Sequence, residues 1–365
     1  MNLLLSTCGT SILTNSADEG LRALLNRHAN IKTGDDVPTA ECKRIREHIE
    51  NRKNAFVAHA LEAAKCDSAE LNGILSFYDN QLTPENRRDI HYLLATDTWF
   101  GEETAGIVKA WLVNHGFTDI RVERCPDLQT ADWQLFSSAL SDLVKWCAET
   151  IAPQRTSHCR VIFNLSGGFK SETGFLQVLG MFYADETVYM FERSNELMRI
   201  PRLPVVMVDE EAVRDDLRDF RRAAQGLEVR TEKSGIYWFA LEGKHALTPW
   251  GELVFGQHKD EIYQREIHPS PSEKIIFAPG FPASCENETP RHKQEINQKI
   301  DLLARFLEDA NHPNPNSLHY HPVTHPRDGE VTYEIYAWSD HGAKRIYGRS
   351  LDDGKVELRF LGEHL

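Results

Sequence analysis

Phe163-Asn164-Leu165-Ser166-Gly167-Gly168-Phe169-Lys170-Ser171-Glu172 is the stretch whose reading decides the fold. The run Arg160-Val161-Ile162-Phe163 ahead of it reads as a buried strand, and residues 171–184 behind it read as a helix. A strand, a glycine turn and a helix in that order point backbone N–H groups outward at a helix start, where unpaired donors and the dipole stabilise an anion. Gly167 and Gly168 let the backbone come close to a ligand, and Lys170 adds a point charge. The expectation is a phosphate-binding turn.

The same alternation extends outward. Residues 3–5 open a strand that runs into Ser6-Thr7-Cys8-Gly9-Thr10-Ser11, and 90–95 form a second that runs into Thr96-Asp97-Thr98 and a helix. Residues 119–122 read as a third strand and 133–151 as a long amphipathic helix; 187–191 and 204–207 supply further strands. Residues 21–85 are polar, mostly helical in pattern, and read as an insertion. Strands alternating with helices predict an α/β, doubly wound parallel sheet, in which ligands bind outside the carboxyl ends of the strands. Three polar turns fall there: 7–11, 96–98 and 164–170. The sequence has neither the P-loop spacing nor the dinucleotide glycine fingerprint, which disfavours a mononucleotide hydrolase or an NAD enzyme.

Composition narrows the classes further. A net charge of −14 over 365 residues argues against coating nucleic acid or an anionic membrane through bulk charge. No apolar run is long enough for a bilayer, so no membrane partner is expected. The start Met1-Asn2-Leu3-Leu4-Leu5 lacks a basic region and a cleavage pattern, so a signal peptide is not expected either. Seven scattered cysteines without a C-x-x-C pair suit a reduced, cytoplasmic protein without a cysteine metal site.

The pattern changes after residue 208. Residues 210–224 form a charged helix, 236–240 a short strand, and Leu247-Thr248-Pro249-Trp250-Gly251 opens a helical piece. Without a dense basic recognition helix, a packing or dimerisation module is preferred there to a DNA reader. His268-Pro269-Ser270-Pro271-Ser272 marks a boundary. Beyond it come a strand at 274–278 and a helix at 290–310 with Ile296, Ile300, Leu303 and Leu307 on one face. Strands at 332–338, 344–349 and 355–361 follow, the last two joined by Asp352-Asp353-Gly354, and complete a small α+β domain with an antiparallel sheet. Alternation puts Arg345, Tyr347 and Arg349 on one strand face, next to a strand leading to His364; that face can clamp a phosphate. His319-x-His321-x-x-x-His325 reads either as a metal site on a strand face or as loop histidines, and the loop reading is preferred.

Taken together, Ser6–Ser11, Thr96–Thr98, Asn164-Leu-Ser-Gly-Gly-Phe-Lys-Ser-Glu-Thr173 and Arg199-Ile200-Pro201-Arg202-Leu203-Pro204 resemble the CRISPR-associated Rossmann-fold (CARF) sensor family, and Leu247–Gly251 resembles the winged-helix module that often follows it. The resemblance implies a homodimer that binds a cyclic oligoadenylate, expected to be the tetra-adenylate. Thr10, Ser11, Thr96, Asp97, Thr98, Ser166, Gly167, Gly168 and Lys170 would line its pocket. Some members also cleave the ring, and Ser11 and Lys170 match the positions used. Residues 274–365 resemble the RelE family of ribosome-dependent mRNA interferases, which need no metal or cofactor and cut mRNA in the ribosomal A site by 2′-OH attack. That resemblance gives Arg345 phosphate stabilisation with Arg349 assisting, His364 the role of general acid, and Tyr347 or Tyr336 the orienting of a base or the 2′-OH. The chain departs from that pattern at Glu334 and Tyr336, where lysines are usual. Its residues 291–365 also hold 10 basic against 12 acidic residues. His319, His321, His325, His341 and His364 are on hand to take over. The expected organisation is a sensor at 1–208, a winged helix-turn-helix connector at 209–270 and an endoribonuclease at 271–365. A ligand-responsive transcription regulator and a stand-alone ring nuclease are the rival readings.

Overall fold

The computed structural model describes residues 1–129, 132–157, 159–191, 196–203, 205, 207, 209–230, 232–233, 235–241, 244–309, 313–315, 317–323, 331–339, 342–351 and 354–363. The chain divides into two compact units, Met1–Val206 and Met207–Leu365.

The first unit is built on six strands: β1 (Asn2–Cys8), β2 (Ile90–Ala95), β3 (Asp119–Arg124), β4 (Arg160–Asn164), β5 (Glu186–Met190) and β6 (Leu197–Pro201). Their order is β3-β2-β1-β4-β5-β6. The first five run parallel, and β6 returns antiparallel along β5. Chain order reverses between β1 and β4, which makes the crevice beyond their carboxyl ends the switch point of a doubly wound sheet. The last strand is not where the sequence suggested: Val205 and Met207 lie outside any strand. Too few residues separate β5 from β6 for a parallel crossover, so the chain can only turn back on itself.

The 21–85 segment is helical, through Glu19–Arg27, Thr39–Phe56, Leu61–Asp67 and Ala69–Phe77, but it is not a polar appendage. Ile45, Ile49, Phe56, Leu71, Ile74 and Leu75 are buried in one core with Leu4, Leu93 and Trp111. The apolar positions recur at helical spacing among many charges, so averaged polarity concealed the buried stripe. The helix Trp133–Trp146 passes through a π-helical turn at Cys147–Ile151 into Ala152–Thr156.

In the second unit, helices Glu210–Asp215, Leu217–Ala224 and Pro249–Arg265 enclose Val213, Phe220, Val254, Phe255 and Ile262 with the hairpin β7 (Trp238–Leu241) and β8 (Lys244–Leu247). Thr248 caps the long helix, its Oγ1 accepting the Gly251 N–H at 3.2 Å, and Pro249 fills the first turn. The rest is a five-stranded sheet, β10-β11-β12-β13-β9, of β9 (Ile275–Phe277), β10 (His321–Pro322), β11 (Tyr333–Tyr336), β12 (Arg345–Ser350) and β13 (Val356–Gly362). All pairs are antiparallel except β13 with β9. Ile296, Ile300 and Leu303 of the helix Pro290–Glu308 are wholly buried against this sheet with Ile335, Ile346 and Leu358. Ion pairs join residues 209–270 to 271–365: a buried one from Arg221 to Asp301, and a partly buried, bidentate one from Arg222 to Glu308. Among the described residues no helix is long and apolar enough to cross a membrane.

Candidate functional site

In the first unit the turns after β1 and β4 meet at the switch point. Thr7 Oγ1 donates to the Gly167 carbonyl at 2.7 Å. A side chain on Gly9 would lie 2.9 Å from the Gly168 nitrogen. Gly168 has a φ of +86° and precedes the helix Lys170–Tyr183. A methyl group on Gly167 would lie 2.4 Å from Glu70 Oε1 and 2.6 Å from the Thr7 carbonyl oxygen. The two glycines therefore answer an intramolecular close approach as well as any ligand.

Glu70, from the inserted helix Ala69–Phe77, is the residue sequence reasoning missed. It is fully buried. Its Oε1 accepts the Gly9 N–H at 2.7 Å, and its Oε2 accepts the hydroxyls of Ser68 at 2.7 Å and Ser11 at 3.3 Å. Asn164 Nδ2 donates to the Glu70 carbonyl at 3.0 Å, while Asn164 Oδ1 accepts the Ser166 hydroxyl at 2.7 Å. Gly73 lets the inserted helix approach Asn164 and Ser166. A glutamate in Ala-Glu-Leu-Asn-Gly-Ile-Leu carries no signal of its own; only its place between buried helical positions hints at burial.

A second acid lies beside it. Glu172 is buried, its Oε2 accepts the Phe169 N–H at 3.4 Å, and its Oε1 has no partner among the described residues. Burial, followed by repulsion from Glu70, pushes its carboxyl up to about 8.

Of the residues expected to line a pocket, Ser11, Ser166, Gly167 and Gly168 gather around Glu70, Asn164 and Thr7, Thr10 precedes Ser11, and Lys170 is exposed at the helix start. Ser11 Oγ is engaged with Glu70 and also accepts the Ala69 N–H at 3.3 Å. Thr96, Asp97 and Thr98 follow β2 but serve the fold. Thr98 caps the helix Trp99–Asn114 through the Gly101 N–H at 3.1 Å, and Thr96 Oγ1 lies 2.9 Å from Thr98 Oγ1. Asp97 receives Lys32 at 2.6 Å, Arg124 Nε at 2.9 Å and the Asp127 N–H at 2.9 Å. Burial opposes its ionisation, but these three donors outweigh burial and hold its carboxyl below the usual range. A cavity of about 590 Å³ opens at the start of β4, away from these turns. Its Arg155 and Arg160 are already paired with Asp185 and Glu186, so it makes no case for an anion.

In the second unit, Arg345 faces Tyr336 across β12 and β11. Its guanidinium carbon lies 3.4 Å from the Tyr336 ring centroid, and Arg345 is 8% exposed. Arg345 Nε is buried without a partner among the described residues. His319 stacks on the same tyrosine ring with centroids 4.3 Å apart. Glu334, buried on that face, meets His321 Nε2 at 3.0 Å through Oε1. His321 Nδ1 lies 2.7 Å from the His319 carbonyl, which can only accept, so Nδ1 carries a hydrogen and the contact at Nε2 needs another between imidazole and carboxylate. Glu334 lies two residues from Tyr336, the residue that Arg345 covers. The signal for Glu334 was Tyr333-Glu334-Ile335-Tyr336, whose alternation sets Glu334 beside Tyr336.

Tyr347 is fully buried and donates its hydroxyl to the Glu363 carbonyl at 2.9 Å. Arg349 pairs with Glu357 at 2.8 Å, and Arg359 shares that carboxylate at 3.0 Å. His364, His325 and His341 lie outside the described residues. His319 and His321 do not share a strand face as a metal reading requires: β10 begins at His321, and His319 sits at a φ of +49°. Among the described residues no group of three or more His, Cys, Asp or Glu side chains could hold a metal.

Residues 65–203 match the family model of a CRISPR-associated protein (Cas_APE2256). This span of the chain, from the inserted helix Ala69–Phe77 through β6, is therefore similar to a CRISPR-associated protein family. No curated protein matches the chain.

Proposed function

We propose that the protein is an antiviral effector of type III CRISPR systems, a homodimeric cytoplasmic endoribonuclease switched on by a cyclic oligoadenylate, the tetra-adenylate. The first unit binds the ring at the switch point, at Thr10, Ser11, Ser166–Gly168 and Lys170. The second cleaves mRNA in the ribosomal A site. The observation that carries this reading is the CRISPR-associated match, which spans the Gly167–Gly168 turn and the helix packed on it. The face around Arg345 supports the nuclease half. There the guanidinium offsets charge growing on the phosphate as the ribose 2′-OH attacks, and the proton shared by His321 and Glu334 is at hand for the leaving oxygen. Thr96, Asp97 and Thr98, whose described bonds stay within the protein, are the further pocket residues of this reading, and ring cleavage would fall to Ser11 and Lys170. Dependence on the ribosome fits catalysis by a chain with a net charge of −14.

The test is mRNA cleavage by purified protein with and without cyclic tetra-adenylate, in the presence and absence of ribosomes. Cleavage that needs both establishes the reading. Promoter binding without cleavage replaces it with a transcription regulator, and ring degradation alone with a ring nuclease.

A further inference from the structure

We propose that Glu70 is a built-in anionic occupant of the turn after β1, and that an anionic ligand binds there by displacing it together with the helix Ala69–Phe77. The ligand's identity rests on the sensor reading above; the displacement does not.

A backbone N–H at the carboxyl end of a strand beside the switch point is a donor aimed where doubly wound sheets hold their ligands. In this molecule that donor, Gly9 N–H, is taken by a carboxylate oxygen at 2.7 Å, as it would be by a phosphoryl oxygen. The other carboxylate oxygen draws in the hydroxyls of Ser11 and Ser68. Among the described residues the side-chain partners of this fully buried carboxyl are three neutral donors and no cation.

A second buried carboxyl lies against the same turn. Glu172 Oε1 is buried and unpartnered, and Glu172 Oε2 lies 3.1 Å from where a side chain on Gly168 would begin. Two buried carboxyl groups therefore flank the turn, and one of them holds its Gly9 N–H. An incoming phosphate would compete with Glu70 for the Gly9 N–H in surroundings that screen charge poorly. Both cannot hold Gly9 N–H. Ser68 caps the helix through the Leu71 N–H at 3.1 Å and also binds Glu70, so withdrawal of the carboxylate loosens the helix start as well.

The experiment uses the full chain, wild type and Glu70→Gln, with cyclic tetra-adenylate and inorganic phosphate as probes. Calorimetry gives affinities, and hydrogen–deuterium exchange follows residues 69–77. Glu70→Gln keeps an acceptor for Gly9 and removes the charge, so it is expected to bind phosphate at least about tenfold more tightly than wild type. In the wild type, a bound probe is expected to raise exchange across 69–77. Equal or weaker binding by a folded Glu70→Gln protein overturns the proposal, as does unchanged exchange in a ligand-saturated wild type or failure of both probes to bind either protein. Should Glu70→Gln not fold, the wild-type exchange arm alone decides. If cyclic tetra-adenylate binds neither protein while phosphate prefers Glu70→Gln, the sensor reading fails and the role of Glu70 stands.

Discussion

Arg221 Nη2 and Asp301 Oδ1 meet at 2.7 Å with their side chains 1% and 3% exposed, and the Tyr263 hydroxyl donates to the second carboxylate oxygen. Removing one partner leaves a buried charge uncompensated. Arg221→Met is expected to cost about 3–5 kcal/mol in equilibrium denaturation of the second unit. Arg221→Met combined with Asp301→Leu should cost less than half as much, because no orphaned charge remains. Equal losses in the single and double variants would refute this account.

His91 is enclosed, its Nδ1 unpartnered among the described residues and its Nε2 3.2 Å from the Tyr78 hydroxyl. Burial pushes it down to about 3. The unfolded chain takes up a proton below its ordinary value of about 6.5 and the folded one does not. Stability is therefore expected to hold above pH 6.5 and to fall by up to about 1.4 kcal/mol per pH unit on acidification toward 3. His91→Phe should flatten that limb of the stability–pH curve.

Glu172 works at the other end of the scale. With its carboxyl raised to about 8, its contribution is whole below about pH 4.5 and is lost as pH rises through 8. Glu172→Gln copies the neutral acid and should gain up to about 4 kcal/mol over wild type at pH 8, with little difference at pH 4.5. Denaturant titrations at the two pH values check it.

Gly167→Ala places a methyl group against Glu70 and Thr7. A loss of about 1–3 kcal/mol is expected, against no steric penalty for Gly174→Ala, where nothing lies within 4 Å. Thermal melts of the two variants compare them directly.

Arg345→Ala is expected to abolish mRNA cleavage while leaving ring binding unchanged. Tyr336→Ala should lower cleavage too, by freeing the guanidinium from the ring 3.4 Å away. Tyr336→Phe keeps the stacking surface, so it separates positioning from any role for the hydroxyl: retained activity assigns positioning alone.

Strand–helix alternation was legible because β1, β2 and β4 each carry a short apolar run and because polar turns close each of them. The switch-point turns were legible for the same reason, and Arg345, Tyr347 and Arg349 for their period of two. What escaped was tertiary. Asp97 looked like a ligand group, yet its neighbours Lys32 and Arg124 are 65 and 27 positions away in the chain. Ser11 looked free because Glu70 lies 59 positions on. Local patterns specify a turn and its donors; they do not say which distant side chain will already be seated there.

Strand β9 pairs with β13, so the first strand of the terminal sheet waits for the last. During synthesis, residues 275–277 leave the ribosome some eighty residues before their partner at 356–358. Arg345 is likewise flanked by Gly362 on one side and Tyr336 on the other. The face that bears it is therefore completed only once β13 has settled beside β12, so the order in which these strands pair decides when Arg345 gains its surroundings.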